Sequence, residues 1–85
     1  MLRTNAREDV TPIIIRLTDG KESSVGRLID RRRARLMAFV DTPVERERLV
    51  TIFLPGNTYL GEVVKCSTQE DGFAVEVDLI QSQLD

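Results

Sequence analysis

The sequence contains no histidine, no tryptophan and a single cysteine, Cys66. Histidine is the commonest general base and the commonest metal ligand in proteins. Its absence rules out Ser-His-Asp and Cys-His catalysis, together with zinc sites built from cysteine and histidine. Carboxylates are present, but no sequence pattern brings two of them into a pocket. We therefore expect a protein that is not an enzyme and that needs no metal or cofactor.

Long hydrophobic runs are also absent. No apolar segment approaches the roughly 18 residues of a transmembrane helix, and the polar N-terminus, MLRTNARED, does not resemble a signal peptide. One cysteine cannot form an internal disulfide, which fits a reducing compartment. A chain of 85 residues has room for one modest core. We expect a single cytoplasmic domain without a membrane segment.

Charge is divided unevenly along the chain. Residues 1–48 carry 11 basic and 8 acidic side chains, whereas residues 49–85 carry one lysine and six carboxylates. Ten of the twelve basic residues are arginine. A protein that binds nucleic acid usually spreads a basic excess over one face, often with lysine. The sequence instead predicts local arginine sites on an acidic body, which disfavours a nucleic-acid polymer as a partner.

Period-two alternation predicts six short strands. In GFAVEVDLI, apolar side chains from Phe73 to Leu79 alternate with small or acidic ones, as expected for a strand with one buried face. Similar segments, separated by Asp, Gly and Pro turn residues, predict strands over about 11–17, 23–29, 36–40, 49–54, 58–67 and 72–80. Residues 42–49 are expected to form a loop with at most one helical turn, and the C-terminal tail a brief coil. The pattern indicates an all-β fold, a small six-stranded antiparallel barrel or a sandwich.

Three finer expectations follow from the same patterns. Alternation in TYLGEVVKCS assigns Leu60, Val64 and Cys66 to one strand face, so Cys66 is expected to be a small core residue. The three phenylalanines are expected in the core, although together with Tyr59 they could form a stacking platform for single-stranded nucleic acid. Gly26 and Gly61, inside predicted strands, indicate bulges or tight curvature.

Two groups of arginines stand out. Arg3 and Arg7 lie in residues 1–9, which we expect to form a flexible arm before a barrel domain of residues 10–85. Four more arginines, with Asp30 before them, form the segment DRRRAR after the second predicted strand. Arginine is a permanently charged planar fork suited to phosphates, carboxylates and guanine edges.

This order resembles the PilZ domain, a bacterial receptor module for cyclic di-GMP. The family motif combines Arg-x-x-x-Arg near the N-terminus with Asp/Asn-x-Ser-x-x-Gly at the end of the second strand. Arg3 and Arg7 match the first part, and Asp30 matches the head of the second. YLGEVVKCSTQEDGFAVEVDL is similar to the closing hairpin of the family, and LVTIFLP to the strand before it. Arg32 and Arg35 stand where the family has serine and glycine.

The resemblance implies a six-stranded barrel acting as a cytoplasmic bacterial regulator. In such a receptor Arg3 and Arg7 would clamp cyclic di-GMP, Asp30 would accept from a guanine edge, and Arg32 and Arg35 would replace the serine and glycine. We expect the backbone to be reshaped at Arg35, since an arginine at positive φ is strained.

Alternatives to a cyclic di-GMP receptor stay open. The protein can be a nucleotide-free adaptor that contacts a protein partner, or a small nucleic-acid-binding barrel. The DRRRAR segment can also be a solvated turn whose charges balance carboxylates such as Asp30, Glu45 and Glu47.

Overall fold

The structure, a computed structural model, describes residues 10–83, and side chains for residues 10–80. The expected arm, with Arg3 and Arg7, lies outside the described residues. Six strands are present: β1 (Pro12–Leu17), β2 (Ser23–Arg31), β3 (Arg35–Val40), β4 (Leu49–Leu54), β5 (Asn57–Thr68) and β6 (Phe73–Gln83). The segment between β3 and β4 is a loop without a helical turn. The brief coil expected of the C-terminal tail is wrong as far as Gln83, because β6 continues to that residue.

The six strands form a closed antiparallel barrel in the order β1-β2-β3-β6-β5-β4. Pairing of β1 with β4 closes the ring, from Ile14 opposite Phe53 to Leu17 opposite Val50. This pair confirms the predicted six-stranded barrel and excludes the sandwich. Residues 10–83 include no helix that is long and apolar enough to cross a membrane.

The barrel interior is filled mainly by aliphatic side chains from β1, β3, β4, β5 and β6, and β2 adds buried Ser24 and partly buried Leu28. Full burial of such a side chain contributes about 1.5–3 kcal/mol relative to an exposed one, so this inward set is the main source of stability. Tyr59 is also buried there, at 6% exposure, and Phe73 packs against the set from one end. The fully buried members are Ile13, Ile15, Leu36, Val40, Val50, Ile52, Val63, Val75 and Val77.

A bulge in β2 decides which way the DRRRAR segment faces. Leu28 pairs with Ala38 and Asp30 pairs with Met37, so Ile29 is an extra residue in the ladder. Residues directly opposite one another share a face of the sheet. Ala38 is buried and Met37 is not. The bulge therefore places Leu28 inside and Asp30 outside, although simple alternation would put both on the inner face.

A second irregularity lies in β5, between Val63 and Lys65. Before it, Tyr59, Gly61 and Val63 point inward; after it, Cys66 packs against the core. Cys66 thus packs against the core as predicted, although it is only partly buried. Its assignment to one face with Leu60 and Val64 is wrong, because the extra residue reverses the alternation between them.

The two strand glycines allow backbones to approach closely. A Cβ atom on Gly26 would overlap the carbonyl oxygen of Phe39 in β3. A Cβ atom on Gly61 would lie 2.5 Å from Val77 Cγ1 and 2.8 Å from the Asp78 carbonyl oxygen. Gly61 also adjoins a register shift between β5 and β6, as the sequence predicted for a strand glycine. Gly26 instead marks the close contact of β2 with β3.

Candidate functional site

The DRRRAR segment forms the tip of the β2–β3 hairpin. The Arg32 backbone N–H donates to the Arg35 carbonyl at 2.7 Å, and the Leu79 N–H donates to the Ala34 carbonyl at 2.8 Å. The second bond ties the tip to β6. Among the described non-glycine residues only Glu47 has a positive φ. Arg35 thus begins β3 without the strain of a left-handed backbone, in line with the expected reshaping.

Asp30, Arg32, Arg35 and Met37 line one open pocket of about 320 Å³ on the outer surface of the barrel. The β2 bulge brings Asp30 beside Met37, and the tight turn returns Arg35 to the same surface. A pocket of this size is at the lower end of the range for small-molecule sites. The three site residues predicted in this part of the chain therefore lie together.

Asp30 uses both carboxylate oxygens within the hairpin. Its Oδ1 accepts the Arg31 backbone N–H at 2.8 Å, and its Oδ2 accepts Arg32 Nε at 3.2 Å. An aspartate that initiates a turn bonds the backbone two residues further on, whereas Asp30 bonds the residue directly after it. Because the Arg32 side chain is 77% exposed, this ion pair contributes little to stability. It does hold the guanidinium at the pocket rim.

Arg35 is held by two carboxylates of β6. Its Nε donates to Asp78 Oδ1 at 2.7 Å, and its Nη1 donates to Glu76 Oε1 at 3.3 Å. The hydrogen bond and charge of Asp78 raise the pKa of Arg35 above its ordinary value, with a smaller contribution from Glu76. Part of the positive charge of Arg35 is therefore already balanced.

The prediction that Glu45 and Glu47 balance the DRRRAR charges is wrong. Glu45 Oε1 instead accepts Arg48 Nη1 at 2.7 Å, and Arg48 also donates to Asp19. Both bonds raise the pKa of Arg48, and the bond to Glu45 has the larger effect. The two glutamates lie in the loop between β3 and β4. Asp30 is the one predicted partner that does pair with the segment.

The other two arginines of the segment take different surroundings. Arg31 lies opposite Leu36 and points toward the barrel end, where its guanidinium stacks 4.7 Å from the centre of the Tyr59 ring. No sequence signal links these two residues. Arg33 is exposed at the tip, and it has no ion-pair or hydrogen-bond partner among the side chains of residues 10–80.

Thr11, the residue that leads into β1, lies beside the second half of β2. The Leu28 N–H donates to the Thr11 carbonyl oxygen at 2.8 Å. Arg7 precedes Thr11 by four residues in the sequence. Four extended residues span at most about 14 Å. This length limits how far Arg7, which lies outside the described residues, can be from Thr11.

Two phenylalanines predicted for the core lie on the outer surface. Phe39 follows buried Ala38, and Phe53 follows buried Ile52, so strand alternation turns both rings outward. Arg27 stacks 4.9 Å from the centre of the Phe39 ring, and Arg16 stacks 5.4 Å from that of Phe53. Aromatic content alone could not separate these two rings from the buried Tyr59.

A larger pocket, of about 750 Å³, opens at the other end of β1 and β2. Ile15, Leu17 and Val44 form its floor, and Ser24 and Thr42 share a 2.7 Å hydrogen bond at its edge. Its charged residues are Glu22 and Glu45. A pocket with carboxylates and no arginine is unsuited to an anion, so size does not identify the site here. In the described part of the chain, no group of three or more acidic or cysteine side chains could hold a metal ion.

Comparison with known proteins finds no matching family model, no similar curated protein and no similar solved structure. The interpretation of the site therefore depends on its residues and their geometry.

Proposed function

We propose that the protein is a non-enzymatic bacterial signalling module of the PilZ type. It binds cyclic di-GMP through Arg3 and Arg7 in the N-terminal segment and through Asp30, Arg32 and Arg35 in the hairpin. One observation carries the proposal: Asp30, Arg32 and Arg35 converge on a single outer pocket.

The chemistry of these side chains suits a cyclic dinucleotide. Cyclic di-GMP is a dianion with two guanine bases. A guanidinium can bind phosphate oxygens, or guanine O6 and N7, with two parallel hydrogen bonds. Arg32 is the best placed for this role, because it is largely exposed and needs only to exchange its contact with Asp30. The Asp30 carboxylate is then free to accept from the N–H edge of a guanine.

Arg35 has a supporting role in this arrangement. Its contacts with Asp78 and Glu76 hold the guanidinium in place beside the pocket that Arg35 lines, and a guanidinium can stack on a purine ring. Arg3 and Arg7 supply the remaining positive charge for the phosphates. Closure of the N-terminal segment over the ligand would be the signalling output, an order transition driven by the ligand.

Calorimetric titration with cyclic di-GMP tests the proposal. We expect micromolar or tighter affinity for the parent, at least tenfold weaker binding for Asp30→Ala and for the Arg3→Ala/Arg7→Ala double variant, and no heat with cyclic di-AMP. Arg46→Ala, in the exposed loop between β3 and β4, is the matched charge control and should bind like the parent. Saturating cyclic di-GMP with neither heat nor a rise in melting temperature would refute the proposal.

One observation favours a nucleotide-free adaptor as a second candidate. Arg35 and Arg32 already have counter-charges in Asp78, Glu76 and Asp30, while Arg33 at the tip has none in the described residues. An adaptor would offer this tip to an acidic surface of a protein partner. The same titration separates the candidates, since an adaptor would be silent toward cyclic di-GMP while remaining folded.

A further inference from the structure

Three strands carry an apolar row on the outside of the barrel. Ile14 in β1 lies directly opposite Val25 in β2 on one side and Phe53 in β4 on the other. Val25 is 50% exposed and Ile14 is 40% exposed. The row contributes nothing to the interior, so its side chains are available for contact with another molecule.

Two arginines flank this row on opposite sides. Arg16 follows Ile14 by two residues, and Arg27 follows Val25 by two residues on the antiparallel neighbour, so they extend the outer face in opposite directions. Stacking on Phe53 and Phe39 holds both guanidinium groups against the barrel. Neither forms an ion pair with any residue from 10 to 83. The row and its two arginines are called the flanked face below.

Few carboxylates adjoin the flanked face. β1, β4 and β2 as far as Ile29 contain no aspartate or glutamate. Glu62, Glu76 and Asp78 are on β5 and β6, elsewhere around the barrel. Two aspartates lie at the border: Asp41, whose Oδ1 accepts the Val25 N–H at 3.1 Å, and Asp71, which lines an open pocket together with Val25 and Arg27. A chain with a net charge of -2 therefore presents one side that is apolar and cationic.

The pairing of the strands limits how a partner can bind. β1, β2 and β4 are each paired on both sides, so a partner cannot add a strand to them and must contact their side chains. Two inter-strand gaps of about 4.8 Å make the row about 10 Å long. An α-helix advances by about 10.5 Å over seven residues. A helix laid across the three strands can therefore place apolar residues i, i+3 or i+4, and i+7 over Val25, Ile14 and Phe53.

From this geometry we propose that the flanked face binds an amphipathic helix of a protein partner, with acidic residues along both edges of its apolar stripe. Those residues face Arg16 on one side and Arg27 on the other. A nucleic acid would leave the apolar row without a counterpart. Two arginines alone give too little attraction to hold the protein on an anionic membrane. The proposal is independent of cyclic di-GMP, because the flanked face lies outside the pocket that carries Asp30.

A displayed library of random 16-residue peptides, selected on the full chain, tests this proposal. We expect enriched peptides that combine apolar residues at helical spacing with glutamate or aspartate. The best of them, made synthetically, should bind the parent in a fluorescence anisotropy titration. Affinity should fall at least tenfold for Ile14→Ser/Val25→Ser, and also for Arg16→Glu/Arg27→Glu.

Matched controls guard against general effects of exposure or charge. Ile80 is 54% exposed on β6, so Ile80→Ser removes similar apolar surface elsewhere. Arg46→Glu reverses a charge in the loop between β3 and β4. Both should bind the peptide like the parent. Circular dichroism spectra and melting temperatures like those of the parent would show that the face variants remain folded.

Several results would overturn the proposal. One is a selection that enriches no peptides, or that enriches basic ones. Another is a selected peptide that binds both double variants with the same affinity as the parent. If sedimentation equilibrium shows that the parent is a dimer and the Ile14→Ser/Val25→Ser variant a monomer, the face would be assigned to a second copy of the chain. If the parent sediments with anionic phospholipid vesicles and the Arg16→Glu/Arg27→Glu variant does not, the face would be assigned to a membrane.

Discussion

Gly26→Ala tests the close approach of β2 to β3. The added methyl group would overlap the Phe39 carbonyl oxygen and lie 2.7 Å from both the Phe39 carbonyl carbon and Val40 Cα. All three are backbone atoms of β3, so no side-chain rotation can relieve the contact. The two strands must move apart instead.

The cost of this movement can be worked out from the pairing. Gly26 lies opposite Val40, and its neighbour Arg27 lies opposite Phe39. Loss of roughly two ladder hydrogen bonds costs about 1 kcal/mol each, and overpacking adds about 1–3 kcal/mol. We expect a loss of about 3–5 kcal/mol. A domain of this length has a total stability of about 4–13 kcal/mol, so the loss would remove between roughly a quarter and all of it.

Urea unfolding followed by circular dichroism measures this loss, and the melting temperature should fall by about 12 °C or more. Gly20→Ala is the control, because its methyl group would make an ordinary 3.4 Å contact with Leu17 Cβ. That variant should remain within about 1 kcal/mol of the parent. A Gly26→Ala protein as stable as Gly20→Ala, with the same dependence on urea, would refute the close spacing of β2 and β3 and with it the steric argument.

Two further predictions use the same unfolding assay. Gly56 has a φ of 81° with open space around it, so Gly56→Ala should cost about 1–2 kcal/mol through backbone strain alone; no loss would contradict a left-handed residue in the Pro55-Gly56 turn. Ile52→Ala removes a fully buried side chain and should cost about 2–5 kcal/mol, whereas exposed Ile80→Ala should cost about 0.5 kcal/mol or less. Equal losses at the two isoleucines would contradict their assignment to opposite sides of the barrel wall.

Local patterns predicted most of the strands. Alternation in β6 and the flanking turn residues depend only on neighbours in the sequence, and both survive in the structure. Pro55 and Gly56 form the expected turn because each has a backbone preference of its own. The prediction that Phe39 and Phe53 lie in the core failed, because composition does not reveal which of the two alternating sets of side chains in a strand faces inward.

The candidate site was only partly predictable. Asp30 and the arginines that follow it are adjacent in sequence, so their grouping was foreseeable, and the resemblance to a PilZ motif singled out Asp30, Arg32 and Arg35. The partners of Arg35 were not foreseeable. Asp78 and Glu76 are 43 and 41 residues away in the chain, and they meet Arg35 only because β3 pairs with β6.

The sequence by itself determined an all-β domain with six strands, turns at glycine and proline, and arginines concentrated in its first half. The tertiary structure decided where those arginines point. One extra residue at Ile29 turns Asp30 outward and Arg31 toward Tyr59, and barrel closure through β1 and β4 aligns Val25, Ile14 and Phe53. Propensity and alternation act between neighbours in the chain, whereas register and closure depend on contacts between residues far apart in it.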